Sequence, residues 1–171
     1  MNGKERLERF LRGESVDRKP NLTIVGSVIT QYNGMDMETY CKDYKKMTEA
    51  AVMCARDVKL DYVQIASDLL REAEGFGSRL NFYPDRLPDV AEYALDDITE
   101  VERLKPLKAR EVPRMWDIVQ ATKLALEMET EIYPMTAVVG PVTIGANVRG
   151  VENFMVDMYD EPEACEALLE I

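Results

Sequence analysis

The stretch "VQIASDLLREAEGFG", residues 63–77, decides how the fold is interpreted. The apolar run Tyr62–Ala66 predicts a strand, and it stops at Ser67 and Asp68, before an acidic segment that is bounded by glycines. In parallel α/β folds, functional groups collect at the carboxyl ends of the strands. We therefore expect Asp68 to lie at the carboxyl-terminal edge of a sheet. The glycines that follow it, Gly75 and Gly77, would allow the next loop to fold back over this edge.

Outward from this stretch, strand and helix signals alternate along the chain. Apolar runs predict strands at residues 21–25 and 134–140, with a possible short strand at 79–84 and a loop over 85–90. Apolar residues at spacings of three and four predict helices. The predicted helices cover 4–12, 37–58 and 97–104, a longer helix from Pro113 and two helices that close the chain. This order predicts an α/β fold with right-handed crossovers and a parallel sheet.

The charge balance excludes two classes of partner. The chain has 171 residues, with 21 basic and 32 acidic side chains and a net charge of −11. Nucleic acids and anionic membranes bind basic surfaces, so neither is an expected partner. The longest apolar stretches are too short to span a bilayer, and the amino terminus lacks the apolar core of a signal peptide.

Histidine and cysteine usage restricts the chemistry. Histidine is absent, so any catalysis must use carboxylates, tyrosine, lysine, cysteine or bound cofactors. Cys41, Cys54 and Cys165 are odd in number and form no CxxC pair, which does not indicate a disulfide framework. We expect a protein of the reducing cytoplasm.

Three strand ends hold the candidate site residues: Gly26 after the first predicted strand, Ser67 and Asp68 after the second, and Gly140–Thr143 after the third. Each has a structural alternative. Asp68 is also a preferred residue for the N-cap of a helix over "LLREAE". Gly140 and Pro141 also fit a simple turn into a helix, although such a helix start could bind an anion. Glu72 and Glu74 are expected to face solvent.

Three longer motifs carry a resemblance to a known family. They are "MNGKERLERFLRGESVDRKP", "DYVQIASDLLREAEGFG" and "VVGPVTIGANVRGVENFMVDMYDEP", in this order. Together they resemble the amino-terminal half of the uroporphyrinogen decarboxylase superfamily, over nearly the whole chain. That superfamily also contains cobamide-dependent methyltransferases, which pass a methyl group from a corrinoid protein to a thiol. The resemblance implies a (β/α)₈ TIM barrel.

The resemblance assigns roles to particular residues. Asp68 matches the acidic residue that faces the tetrapyrrole in the decarboxylase, and Gly140, Pro141 and Thr143 match a turn that lines the same cleft. Two departures favour the methyltransferase branch. The decarboxylase grips its substrate's carboxylates with arginines after the first strand, whereas no basic residue occurs here between residues 21 and 39. Asn147 also stands where a substrate-facing tyrosine is expected.

The length of the chain qualifies this assignment. A (β/α)₈ barrel usually takes about 250 residues, so residues 1–171 are expected to form a single incomplete barrel domain. We expect either a fragment or a half-barrel that associates with the missing half or with another copy. The zinc site of the methyltransferases, a His-x-Cys and a later Cys, is expected in the missing half, so no metal site is expected here.

Two functions besides corrinoid-dependent methyl transfer remain open. One is decarboxylation of uroporphyrinogen, a lyase reaction in which Asp68 would hold the pyrrole N–H groups. The other is a non-catalytic binding module. The expected partners are a corrinoid protein or tetrapyrrole and a small thiol, with a corrinoid as the cofactor of the complete enzyme.

Overall fold

A computed structural model describes all residues 1–171. It contains nine α-helices, four strands and two short 3₁₀ helices. The helices are α1 Gly3–Leu11, α2 Val28–Asn33, α3 Met37–Lys42, α4 Tyr44–Asp57, α5 Arg71–Phe76, α6 Pro113–Met128, α7 Pro141–Arg149, α8 Val151–Asp160 and α9 Pro162–Glu170. The strands are β1 Tyr62–Ile65, β2 Arg79–Asn81, β3 Asp89–Glu92 and β4 Tyr133–Thr136.

The four strands form two separate two-stranded sheets. β1 and β4 are parallel, with Tyr62 opposite Tyr133 and Ile65 opposite Thr136. β2 and β3 form an antiparallel pair. The predicted α/β class and a parallel pair of strands are confirmed, but the sheet is not closed into a barrel. The strand predicted over 134–140 is shorter and earlier than expected, since β4 ends at Thr136. The possible strand at 79–84 is confirmed in part as β2, while part of the predicted loop 85–90 belongs to β3.

The predicted first strand, residues 21–25, is wrong. This segment runs without strand structure and is held by side-chain hydrogen bonds. The Gln64 Oε1 atom accepts from Val25 N at 2.9 Å, and the Tyr62 hydroxyl donates to Thr23 O at 3.0 Å. Ile24 is 82% exposed, so the apolar residues of this segment do not form a buried strand.

The predicted helix over 37–58 is interrupted at Asp43. This residue has extended backbone angles, φ −119° and ψ 97°, and separates α3 from α4. Its carboxylate accepts from Lys45 N and Lys46 N at 3.0 and 3.1 Å, so it caps the second helix. An N-cap aspartate satisfies backbone N–H groups that a continuous helix would not leave free. The helix predicted over 97–104 is a 3₁₀ helix, Ile98–Arg103, capped by Asp97.

The residues group into two compact units. The first contains Met1–Ser67, Pro84–Arg86 and Asp117–Ala137, and the second contains Asp68–Tyr83, Leu87–Trp116 and Val138–Ile171. The core of the first unit includes Met47, Ala51, Cys54, Val63 and Ile65. The core of the second includes Ala73, Leu95, Ile98, Val101, Val148, Phe154, Cys165 and Leu168. A single domain over residues 1–171 therefore stays a prediction.

Close approaches that require glycine occur in both units. In the first, a Cβ on Gly3 would lie 2.3 Å from Ile132 Cγ2, so α1 could not pack at this depth with a side chain here. In the second, a Cβ on Gly145 would lie 2.9 Å from the Phe154 ring, which lets α7 and α8 pack closely. None of the helices is both long and apolar enough to span a bilayer.

Candidate functional site

Asp68 is buried directly after β1. It is 7% exposed, and its Oδ1 atom accepts a hydrogen bond from Leu70 N at 2.9 Å. Its Oδ2 atom forms an ion pair with the guanidinium group of Arg114. The alternative role as a helix N-cap is wrong, because Leu70 occupies the N-cap of α5. The carboxylate instead fixes the turn that leads into this helix.

Arg114 is held by three groups of the second unit. Besides Asp68, its Nη1 atom lies 2.9 Å from Glu74 Oε2, and its guanidinium group lies 5.0 Å from the centroid of the Phe82 ring. The Arg114 side chain is almost fully buried. A buried arginine is tolerated where carboxylates and aromatic faces compensate for the lost hydration. Asp68 and Arg114 therefore form a charge-compensated pair.

Arg114 was not among the residues predicted for the site, and the predicted position of Glu74 is wrong. Glu74 was expected to face solvent, but it is only partly exposed and pairs with Arg114. Glu72 is also mostly buried. One signal was available, because Arg114 lies in the first turn of α6. The positive end of the helix dipole disfavours a cation at that position, so an arginine there indicates a nearby carboxylate.

Asn147 holds the backbone beside Asp68. Its Nδ2 atom donates to Leu69 O at 3.2 Å, and its backbone oxygen accepts from Ser78 Oγ at 3.2 Å. Ser78 Oγ also accepts from Ala94 N at 3.1 Å. These bonds tie α7 to the turn after Asp68 and to the segment after β3. A substrate contact by Asn147 stays a prediction.

Gly140, Pro141 and Thr143 form the start of α7. Gly140 is the N-cap and Pro141 the first helical residue, which confirms the predicted turn into a helix. All three residues are exposed. Pro141 also lines an apolar cavity of about 250 Å³ together with Val138 and Ile144. Anion binding at this helix start stays a prediction.

Gly26 and Ser67 belong to the first unit, whereas the other candidate residues belong to the second. Gly26 has φ +49°, a conformation that glycine adopts without strain. Ser67 follows the end of β1, where Ala66 O accepts from the Tyr40 hydroxyl at 3.1 Å. No group of three or more Cys, Asp or Glu side chains has the arrangement of a metal site.

Comparisons with known proteins define the family. The family model described as "Uroporphyrinogen decarboxylase (URO-D)" matches residues 2–171. The chain belongs to the uroporphyrinogen decarboxylase family. Among solved structures, a methyltransferase from Methanosarcina mazei is similar, with a TM-score of 0.83 and 22% sequence identity. The similarity covers 100% of this chain and 52% of the methyltransferase, so the chain spans about half the length of that structure. No curated protein matches the sequence.

In this chain, the segment around Gly26 and the loops that follow β1 and β4 expose mainly apolar side chains. In the first unit, Ile24 and Val28 flank Gly26 and are exposed. In the second, Leu69, Val138 and Val142 are exposed, and Val138 is 85% exposed. No charged residue occurs between positions 21 and 35 or between positions 135 and 148. Asp68 is the acidic residue of these loops, and Arg114 compensates its charge.

Proposed function

We propose that this chain forms the amino-terminal part of a TIM-barrel methyltransferase that binds a corrinoid at the strand ends and passes its methyl group to a thiol. Membership of the uroporphyrinogen decarboxylase family supports the proposal. So does the similarity in fold to a methyltransferase about twice as long. The observation that carries it is the uncharged, apolar character of the strand-end loops.

This character fits a corrinoid better than uroporphyrinogen. The side chains of a corrin macrocycle are mainly uncharged amides, which need no cations, and its ring and methyl groups pack against apolar area. Leu69, Val138 and Val142 supply such area in the second unit. Uroporphyrinogen carries carboxylates that need cations on burial, and the loops provide none between residues 21 and 39. The residues present therefore fit the cofactor.

The roles of the chain's own residues follow from their positions. A bound methylcobamide would supply the methyl group and retain the electron pair of the broken bond. Asp68 and Asn147 would position the Leu69 turn against the macrocycle, through Leu70 N and Leu69 O. Gly140 and Pro141 would present Val142 and Thr143 at the start of α7. The zinc-bound thiol would belong to the remainder of the enzyme.

Equilibrium dialysis with methylcobalamin tests the proposal. Val142→Asp places a charge on the proposed contact surface, and Val151→Asp is its matched control. Both valines are 55% exposed and lie in the first turn of a helix, where aspartate is tolerated. We expect the wild type and Val151→Asp to bind methylcobalamin equally, and Val142→Asp to bind about tenfold more weakly, the effect of about 1.4 kcal/mol. Equal binding by both variants would contradict the proposal.

The decarboxylase alternative has a direct assay. In that reaction Asp68 would accept pyrrole N–H groups, but its carboxylate is buried and paired with Arg114. We expect no coproporphyrinogen when the chain is incubated with uroporphyrinogen. Formation of coproporphyrinogen that Asp68→Asn abolishes would establish the decarboxylase function instead.

We also propose that the chain associates through the parallel sheet, with the other half of a barrel or with a second copy. β4 pairs with β1 on one side, and Met135 on β4 is exposed. A strand edge with free backbone groups favours pairing with a further strand. The non-catalytic binding module would share this property, but its association would be insensitive to methylcobalamin.

We propose a cytoplasmic location, where thiols remain reduced.

A further inference from the structure

A second cavity of the second unit lies beside α5, and the proposed function does not use it. Its volume is about 350 Å³. Apolar side chains form part of its wall, and three cationic side chains and one carboxylate also line it. The apolar residues are Phe76, Leu104, Pro106, Leu107 and Val112, and the charged ones are Arg103, Lys105, Lys108 and Glu111.

The apolar wall depends on Gly75. A Cβ at this position would lie 2.8 Å from Leu107 Cδ1 and 3.1 Å from both methyl groups of Val112. Because glycine has no side chain, Leu107 and Val112 approach the backbone of α5 directly. The segment that contains them is thereby held against the helix, and the cavity lies between them.

The cations come from a basic run in an acidic chain. The run "RLKPLKAR", Arg103–Arg110, contains four basic residues and no acidic one, although the whole chain carries a net charge of −11. Arg103 pairs with Glu100 at 2.7 Å and Lys108 pairs with Glu111 at 3.2 Å. Both pairs are well exposed, so each stabilises the fold little. Arg103 and Lys108 can therefore leave their glutamate partners and bind another anion. Lys105 is exposed and has no ion pair.

We propose that this cavity binds a small amphipathic anion, with an aromatic or aliphatic body on the apolar wall and a sulfonate, carboxylate or phosphate group at Lys105. The apolar wall removes the body of the ligand from water. The cations provide the charge opposite to that of the ligand. Small-molecule sites combine apolar surface with polar groups that fix the orientation of the ligand, and this cavity contains both.

The first unit offers a matched control cavity. It has a volume of about 320 Å³ and is lined by α4 and α6. Its cations, Lys45 and Lys123, are balanced by Glu49 and Glu127, and Leu124 and Met128 provide apolar surface. It resembles the cavity beside α5 in size but lacks the excess of cations. An amphipathic anion should therefore distinguish the two.

The test uses two probes and two variants. The probes are 8-anilinonaphthalene-1-sulfonate, an aromatic anion, and N-phenyl-1-naphthylamine, which has a similar body without the sulfonate. Their fluorescence is titrated with the wild type, Lys105→Glu and Lys45→Glu. Both substituted lysines are exposed, so neither change disturbs a core.

We expect Lys105→Glu to weaken binding of the anionic probe about fivefold, the upper range for one exposed charge. Lys45→Glu should leave binding unchanged, and the neutral probe should bind both variants equally. Equal weakening by both variants would show a general effect of net charge, and no weakening by Lys105→Glu would place the probe elsewhere. Either result overturns the proposal. Because the probe contains no corrinoid, failure here leaves the proposed methyltransferase function unaffected.

Discussion

Two buried aspartates flank β1 and differ in what holds them. Asp61 precedes the strand, is 1% exposed and accepts from Arg6 Nη1 at 2.5 Å, Arg18 Nη1 at 2.6 Å and Asn21 N at 2.6 Å. Asp68 follows the strand and is bound by Arg114, which also pairs with Glu74. In TIM-barrel folds, residues before the strands usually serve stability and those after them serve function.

This difference shows that burial and charge alone do not identify a functional carboxylate. Asp61 joins the amino-terminal helix and the segment after it to the start of β1. Asp68 fixes a short turn that presents Leu69 to solvent. We therefore interpret Asp61 as a structural residue and Asp68 as a residue that positions the proposed binding surface.

Replacement of Asp61 should have the largest effect on stability. Asp61→Ala should lower the free energy of unfolding by about 3–5 kcal/mol, because removal of one partner leaves buried Arg6 without part of its compensation. Urea denaturation measures the change. Asp85→Ala, at an exposed position, is the control and should change stability by less than about 0.5 kcal/mol. A loss at Asp61 no larger than the control would refute its structural role.

Asp68→Ala should cost less, about 2–3 kcal/mol, because Arg114 keeps Glu74 and the Phe82 ring as partners. Removal of an exposed carboxylate would cost almost no stability. Because Asp68 is buried, we expect a larger loss of the free energy of unfolding. A double-mutant cycle with Arg114→Met isolates the coupling between the two residues. Additive losses would mean that the ion pair contributes no stability.

Acid should destabilise the fold mainly by protonating Asp61. Burial raises the pKa of Asp61, but hydrogen bonds from Asn21 N–H and from Arg18 and Arg6 outweigh it and hold the pKa below its usual value of 3.8. The resulting stabilisation is present above pH 3.8 and is lost as the pH falls through the folded-state pKa. Urea denaturation between pH 7 and pH 3 should therefore show a smaller loss for Asp61→Asn than for the wild type. Parallel curves would contradict this assignment.

Asn147→Ala should have the smallest effect, about 1 kcal/mol, because it removes one hydrogen bond to Leu69 O. Hydrogen exchange provides a local measurement. The amides of residues 69–71 should exchange faster in the variant, while those of β1 should be unchanged. Equal exchange in the two proteins would mean that Asn147 does not hold the turn.

Local patterns predicted the elements that depend on local chemistry. β1 and the Gly140–Pro141 helix start were predicted correctly, because turn residues and apolar runs specify them locally. The segment 21–25 was not, since a strand needs a neighbour and this apolar run is held by the side chains of Gln64 and Tyr62. The pairing of Asp68 with Arg114 joins residues far apart in sequence. The position of Arg114 at a helix start indicates a carboxylate nearby, but a single sequence does not identify which one.

The central claim is that Asp61 is structural and that Asp68 positions the binding surface. The binding of methylcobalamin by Asp61→Ala and Asp68→Ala tests this claim most directly. Dissociation constants are measured by equilibrium dialysis at a low temperature at which circular dichroism shows that both variants are folded. Gln64 and Tyr62 still hold the segment beside Gly26 in Asp61→Ala. We predict that Asp61→Ala keeps the wild-type dissociation constant and that Asp68→Ala binds about fivefold more weakly, since loss of the Leu70 hydrogen bond costs about 1 kcal/mol. Equal dissociation constants for the two variants, or weaker binding by Asp61→Ala alone, would contradict the account.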